Sequence, residues 1–170
     1  MASAGGSVWV GGVFDRYLTP TRGSGPTAKG LAAFDASGSP ASVTLPNLGS
    51  SPTVFDLSLG PNGTLYVAGK FSYAFGGKSR QNLVGINPSN GAIVAGFSTP
   101  GLKTVLATSD RVYAGGRKLE AYRLDGSKDG SFQAVTPKID PSLRGHDTPS
   151  QFRDLVSYQG DVIAIGQFDF

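Results

Sequence analysis

One short motif recurs four times along the chain: Val8-Trp-Val-Gly-Gly-Val-Phe14, Leu65-Tyr-Val-Ala-Gly-Lys-Phe71, Val112-Tyr-Ala-Gly-Gly-Arg117 and Val162-Ile-Ala-Ile-Gly-Gln-Phe168. Gly12, Gly69, Gly116 and Gly166 hold the same place in each copy, at intervals of about 50 residues. Repetition at that period is the mark of an array of similar units. Within the motif, large and small residues alternate as on a strand with one tightly packed face. A glycine at a fixed place in such a strand marks a bulge or a point where another backbone passes close.

Other short elements recur around the motif. Leu31-Ala-Ala-Phe-Asp35, Leu83-Val-Gly-Ile-Asn87 and Leu119-Glu-Ala-Tyr-Arg123 follow the first three copies. Turns come next at Ala36–Ser39, Pro88–Gly91 and Asp125–Gly126, and then third strands over Ala41–Leu45, Ala92–Phe97 and Ser131–Val135. Strands over Thr53–Leu59, Lys103–Ser109 and Phe152–Tyr158 lead back into the next motif through short hairpin connections. Each unit therefore holds four short antiparallel strands, the content of one propeller blade. With 25 Gly and 11 Pro, and with charged residues at only 16% against a typical ~25%, the composition agrees with many strands and tight turns. Seventeen aromatics supply a core, so disorder is excluded.

The expected fold is all-β: a β-propeller-like array of four-stranded antiparallel blades with about 13 strands. It forms a single repeat domain over 1–170, with a partial blade at 7–52, blades at 53–100 and 101–137, a loop at 138–151 and a partial blade at 152–170. Propellers close with about four blades or more, so the ring is incomplete within this chain. Either the chain is a fragment, or self-association or a partner chain completes the ring, or the repeats stack in some other closed β form.

The segments Tyr66-Val-Ala-Gly-Lys-Phe71, Gly76-Gly-Lys-Ser-Arg-Gln-Asn-Leu83 and Ile86-Asn-Pro-Ser-Asn-Gly91 resemble the delta-sixty repeat of bacterial propeller proteins. Leu124-Asp-Gly-Ser-Lys-Asp-Gly-Ser-Phe132 resembles a turn of the same family. The first unit departs from the pattern by a longer loop, Asp15–Lys29, and the third omits the loop, passing from Arg117 to Leu119. The resemblance implies a propeller in a large bacterial surface or secreted protein, or in a phage tail, and it carries no agreed catalytic set. The expected location is thus extracellular, at a cell surface or on a virion, although Met1–Ser7 lacks the charged start and apolar stretch of a secretory leader.

Several chemistries are excluded or weakened. The chain has no cysteine, which removes disulfides, thiol catalysis and cysteine zinc sites. A net charge of +3 has no basic run longer than Arg117–Lys118, so nucleic acid is not the expected partner. No apolar run is long enough to insert in a membrane. His146 beside Asp147 lacks a nucleophile motif and reads as a solvated loop histidine. Asp125 and Asp129 place oxygen ligands four residues apart, but the bidentate Glu of a calcium loop is missing, so they read as two Asp-Gly turns. Gly76-Gly-Lys-Ser79 lacks the first glycine of a phosphate loop, since position 72 is Ser. No metal or cofactor is expected.

Three polar segments stand out as insertions: Asp15–Lys29, Ser72–Gln81 and Thr136–Gln151. The first two join equivalent strands and should emerge on one side. They carry Arg16, Tyr17 and Arg22, and Tyr73, Phe75 and Arg80, residue types suited to recognising a protein or glycan from a rigid scaffold. The expected function is therefore a non-enzymatic interaction or structural module. One alternative is a glycan-acting enzyme, which needs paired carboxylates. Glu120 is the single glutamate, so the pair would come mostly from Asp15, Asp56, Asp154 or Asp169. Counted from the motif strand, Asp56 and Asp154 fall out of register by one residue, which predicts that they project to different faces. The other alternative is an intracellular scaffold. Trp9, Tyr66 and Tyr113 hold equivalent positions and are expected to pack between sheets.

Overall fold

A computed structural model describes residues 1–18, 24–138 and 150–167. The described residues form strands and no helix. The strands are β1 (Ala2–Ala4), β2 (Ser7–Gly11), β3 (Arg16–Leu18), β4 (Ser24–Thr27), β5 (Leu31–Phe34), β6 (Thr53–Leu59), β7 (Leu65–Phe75), β8 (Lys78–Ile86), β9 (Ile93–Gly96), β10 (Leu102–Ala107), β11 (Arg111–Gly116), β12 (Leu119–Arg123), β13 (Gln151–Tyr158) and β14 (Asp161–Gln167). Four antiparallel sheets follow chain order: β1-β2-β5, β6-β7-β8-β9, β10-β11-β12 and β13-β14. The hairpin β3-β4 stands apart, and no sheet closes on itself among the described residues.

The four motif copies lie on β2, β7, β11 and β14, each central in its sheet or paired to the strand before it. Their alternation sends side chains to two faces. One face of β7 carries Leu65 and Val67 into a core shared with Trp9, Leu31 and Ala33 of the first sheet. The other face carries Tyr66 and Ala68 into a second core with Leu102, Val105, Val112 and Ala114 of the third sheet. A third core joins Leu106, Leu119 and Tyr113 to Phe152, Leu155, Val162 and Ala164. Consecutive sheets therefore stack face to face. Trp9 and Tyr66 are wholly buried between sheets, and truncating a buried aromatic of this size costs about 3–5 kcal/mol.

The glycines mark both a bulge and a close approach. A Cβ on Gly69 would run into the Thr53 carbonyl oxygen, and one on Gly116 into that of Gly101. Opposite these positions the leading strand is bulged at Phe55, Lys103 and Arg153, as the shifts between Val54 and Asp56, Leu102 and Thr104, and Phe152 and Asp154 show.

The bulges correct the expected register of the two aspartates. Asp56 pairs with Ala68, one before Gly69, and Asp154 pairs with Ile165, one before Gly166. They are equivalent and project to the same face. The turn over 60–64 is longer than the turn at Gln159–Gly160, and this offset hides the equivalence in the sequence. In both residues Oδ1 accepts the next backbone N–H, from Leu57 and from Leu155, at 2.8 Å. Asp56 Oδ2 also accepts from Thr104 Oγ1 and from the Val105 N–H, both at 2.8 Å, tying the second sheet to the third. The Ala107 N–H donates to Ser58 Oγ at 2.9 Å beside it. Asp154 faces outward from the last sheet, in company with Val156, Ile163 and Ile165, which are 44%, 47% and 50% exposed.

Other expectations are revised. The first sheet gains β1, so its unit begins before residue 7. Ala41–Leu45 forms no strand: beyond the Phe34–Pro40 bridge the Ala41 N–H still donates to the Ala33 carbonyl at 2.9 Å, but the Val43 N–H turns back onto the Ala41 carbonyl at 2.8 Å and leaves the ladder. Its Ala41, Val43 and Leu45 pack on the first core instead. Ser131–Val135 keeps only the bridge from Val135 to Leu119. Ser72–Gln81 is no irregular loop: it continues β7 and β8 as a hairpin arm turned at Gly76–Gly77. Asp15–Lys29 contains the β3-β4 hairpin.

Asp56→Ala strands the buried Val105 N–H and is expected to cost about 2–4 kcal/mol in urea unfolding. Asp154→Ala, at the equivalent but uncovered position, is expected to cost less than about 1 kcal/mol. Equal losses would show that the bonds across the sheets contribute nothing.

Candidate functional site

Antiparallel order places the turns β6-β7, β8-β9, β10-β11 and β12 onward at one end of the stack. The motif glycines and the connections after them lie at the other end. There, between the second and third sheets, lies a cleft of ≈ 680 Å³. Phe55 and Lys103 enter it from the two bulges, and Lys70 and Arg117 from the positions just after Gly69 and Gly116. Lys103 Nζ stands 4.1 Å from the centroid of the Phe55 ring, a cation–π arrangement. Gln81 and Asn82 complete one wall. Asn82 has φ of 69° at the irregularity between Ala68 and Ser72, and its Nδ2 donates to the Thr99 carbonyl at 2.7 Å. Among the described residues, no aspartate or glutamate lines the cleft. Among the described residues, Lys70, Lys103 and Arg117 form no ion pair.

Of the six residues expected from sequence, the four whose side chains are described, Arg16, Tyr73, Phe75 and Arg80, do not share one site. Arg16 is exposed on β3, with its Nε 4.0 Å from Asp15. Tyr17 belongs to β3 by its backbone, and Arg22 lies outside the described residues. Tyr73 is buried and is no surface contact. Its hydroxyl donates to the Leu83 carbonyl at 2.6 Å and accepts from the Phe97 N–H at 2.8 Å, and burial raises the phenol to about 12. Tyr73 thus pins the hairpin arm across β8 and the end of β9. Phe75 and Arg80 do meet, in a second cleft of ≈ 510 Å³ against Glu120, Tyr122 and Lys128. Arg80 Nε is buried there without a protein partner.

The second cleft is lined by two carboxylates, Glu120 and Asp125, each held in hydrogen bonds of its own. Glu120 is buried, which by itself pushes its carboxyl up, but Lys128 Nζ at 2.8 Å and the Tyr122 hydroxyl at 2.9 Å outweigh this and hold it below its ordinary value. It is an ionised structural group at neutral pH. Asp56 is occupied as described above. Asp125 and Asp129 form two separate turns. Asp125 accepts from the N–H and Oγ of Ser127, and Asp129 from those of Ser131 and from Arg111 Nε at 2.7 Å. Among the described residues no three metal-binding side chains cluster. His146, Asp147 and Asp169 lie outside the described residues.

Lys70, Lys103, Arg117 and Phe55 were not picked out by sequence reasoning. For Lys70 and Arg117 a signal was present, since both stand directly after a motif glycine. Phe55 and Lys103 owe their place to bulges, which no residue type announced. Comparison with known proteins finds no matching family model, no similar curated protein and no similar solved structure.

Two outcomes follow from these contacts. Tyr73→Phe leaves the Phe97 N–H without its acceptor and is expected to lower stability by about 1–3 kcal/mol in urea unfolding. Asp129 is held down to about 2 by Ser131 first and by Arg111 after it. A depressed carboxyl contributes stability that is complete above its unfolded value, about 4, and is lost as pH falls toward the folded value. Unfolding midpoints followed from pH 4 to pH 2 should therefore fall less steeply in Asp129→Asn than in the unsubstituted chain.

Proposed function

We propose that this chain is a non-enzymatic interaction module: a propeller-like array of blades of the delta-sixty kind, at a bacterial cell surface or on a phage virion or tail, that binds a protein or glycan through one end of its sheet stack. The observation that carries the reading is the open cleft of Lys70, Phe55, Lys103 and Arg117, with no acid among its described lining residues, set on two sheets. The paired carboxylates that a glycan-acting enzyme needs find no support at this cleft, and Glu120 is committed to Lys128 and Tyr122. No helix among the described residues is long and apolar enough to cross a membrane.

A printed panel of bacterial surface polysaccharides and surface proteins tests the reading. The unsubstituted chain is expected to be retained on some members, and the double variant Lys103→Glu/Arg117→Glu to lose that retention with its unfolding midpoint unchanged. Equal retention of both chains would place binding elsewhere. Release of new reducing ends from the panel would favour the enzyme.

Self-association forms the second half of the reading. Three sheet faces of this kind are covered by the next sheet of the same chain, and the fourth, with Asp154, Val156, Ile163 and Ile165, is not. The cover it fits is one more sheet of the same sequence, supplied by a second copy. Light scattering behind a sizing column is expected to give about twice the 17.5 kDa of the chain, returning to 17.5 kDa in Ile163→Glu. A monomeric unsubstituted chain would overturn this half.

A further inference from the structure

From the chemistry of the same cleft we infer that its ligand is an acidic oligosaccharide, a chain of uronate-type sugars, rather than a neutral glycan or a protein. The inference rests on the reading of this end as the binding end. Three features carry it.

The first is charge. The far end mixes both signs: its turns hold Asp35, Asp110, Asp125, Asp129 and Asp161, with Arg111, Arg123 and Lys128 beside them. The connections at the cleft end hold Lys70, Lys78, Lys103, Arg117 and Lys118 against Asp15 alone among the described residues. A wall of one sign between low-dielectric sheets concentrates the opposite charge. Lys70, Lys103 and Arg117, which form no ion pair among the described residues, are matched by carboxylates on the ligand.

The second is the aromatic floor. Phe55 is 43% exposed although it is a large apolar residue in a mid-strand bulge. With Lys103 over its ring, it offers a flat apolar surface beside a cation. A sugar ring presents C–H groups on one face and a uronate carboxylate at its edge, and the pair matches both.

The third is the polar lining. Gln81, Asn82 and Gln151, with Ser50, Ser51 and Ser72, supply neutral donors and acceptors for hydroxyls. A nucleic acid would use stacking on several aromatics in a row, and among the described residues only Phe55 and Phe71 border this cleft, with Phe71 buried. Nor do the described residues hold a glycine-rich loop before a helix to cradle a phosphate.

Calorimetric titration of the full chain with a galacturonate hexamer, its neutral galactose counterpart and a single-stranded DNA of similar charge tests the inference. The uronate is expected to bind, the neutral hexamer at least about tenfold more weakly, and binding to weaken with added salt. Arg117→Gln should weaken uronate about tenfold and flatten the salt dependence. Phe55→Ala should weaken it while leaving the salt dependence as it was, an outcome that a bare patch of charge would not give. Equal binding of the neutral hexamer, with Arg117→Gln silent, would overturn the acidic ligand and leave the module reading intact. DNA binding as tight as uronate would overturn it in favour of a general polyanion site. No binding of the uronate overturns it outright, and silence on the polysaccharide and protein panel as well would take the module reading with it.

Discussion

Stacking of sheet upon sheet is the constraint on which this structure depends. A sheet with apolar faces must bury them against another element, and here each interior sheet buries both faces against its neighbours. Within the second and third sheets Gly69 meets Thr53 and Gly116 meets Gly101 on the paired strand, while Gly11 and Gly115 face Val54 and Phe152 of the next sheet. Large residues then fill the space further along, as Tyr66 does against Phe97 and Phe97 against Tyr122, edge to face at 6.0 and 5.7 Å. Gly69 and Gly116 of the motif answer a steric demand from the paired strand and are not a sign of flexibility.

Much of this was legible in the sequence, because the motif repeats and because Pro, Gly and Asp mark the turns. The positions of β5 to β8 and of β10 to β14 follow from those two signals. What was not legible depends on the partner strand. A bulge is a property of a pair, so Phe55, Lys103 and Arg153 looked like ordinary strand residues, and a turn longer by a few residues put Asp56 and Asp154 falsely out of register. The hairpin arm was misread from its polar residues. Phe71, Tyr73 and Phe75 alternate within it, and two of the three are buried, so the period of two was present but was outweighed by Gly76, Gly77 and the charged residues around them. The Tyr73 hydroxyl looked like a surface contact for the same reason. Its true partners, Leu83 and Phe97, are joined to it only once the arm has folded back.

The candidate site was legible as a place and not as a set of residues. The equivalence of the units predicted that connections after the motif emerge on one side, and the cleft lies there. Its cations come from positions that the fold, not the local sequence, brings together: Lys70 from the second sheet and Arg117 and Lys103 from the third. Individually each is a solvated charge of the kind found on any surface. They acquire a common role because two successive units carry a bulge and a glycine at the same register.

The site and the stack are therefore one physical problem. Phe55 is followed by Asp56, and Lys103 by Thr104, and the bond from Thr104 Oγ1 to Asp56 Oδ2 lies one residue beyond the Lys103–Phe55 contact. The bulge that turns Phe55 and Lys103 into the cleft also sets the register of Asp56 and Thr104 at the sheet interface. A carboxylate that accepts a hydroxyl and an N–H at 2.8 Å in a part-buried setting makes charge-assisted bonds, stronger and more directional than neutral ones. It fixes the spacing of the two sheets at the point where the cleft opens. Binding at this end is then carried by a preorganised wall, with little ordering left to do when a ligand arrives. The last sheet repeats the aspartate and the bulge, with Arg153 where Lys103 and Phe55 stand, so each added unit of this kind extends both the stack and the cationic end it presents.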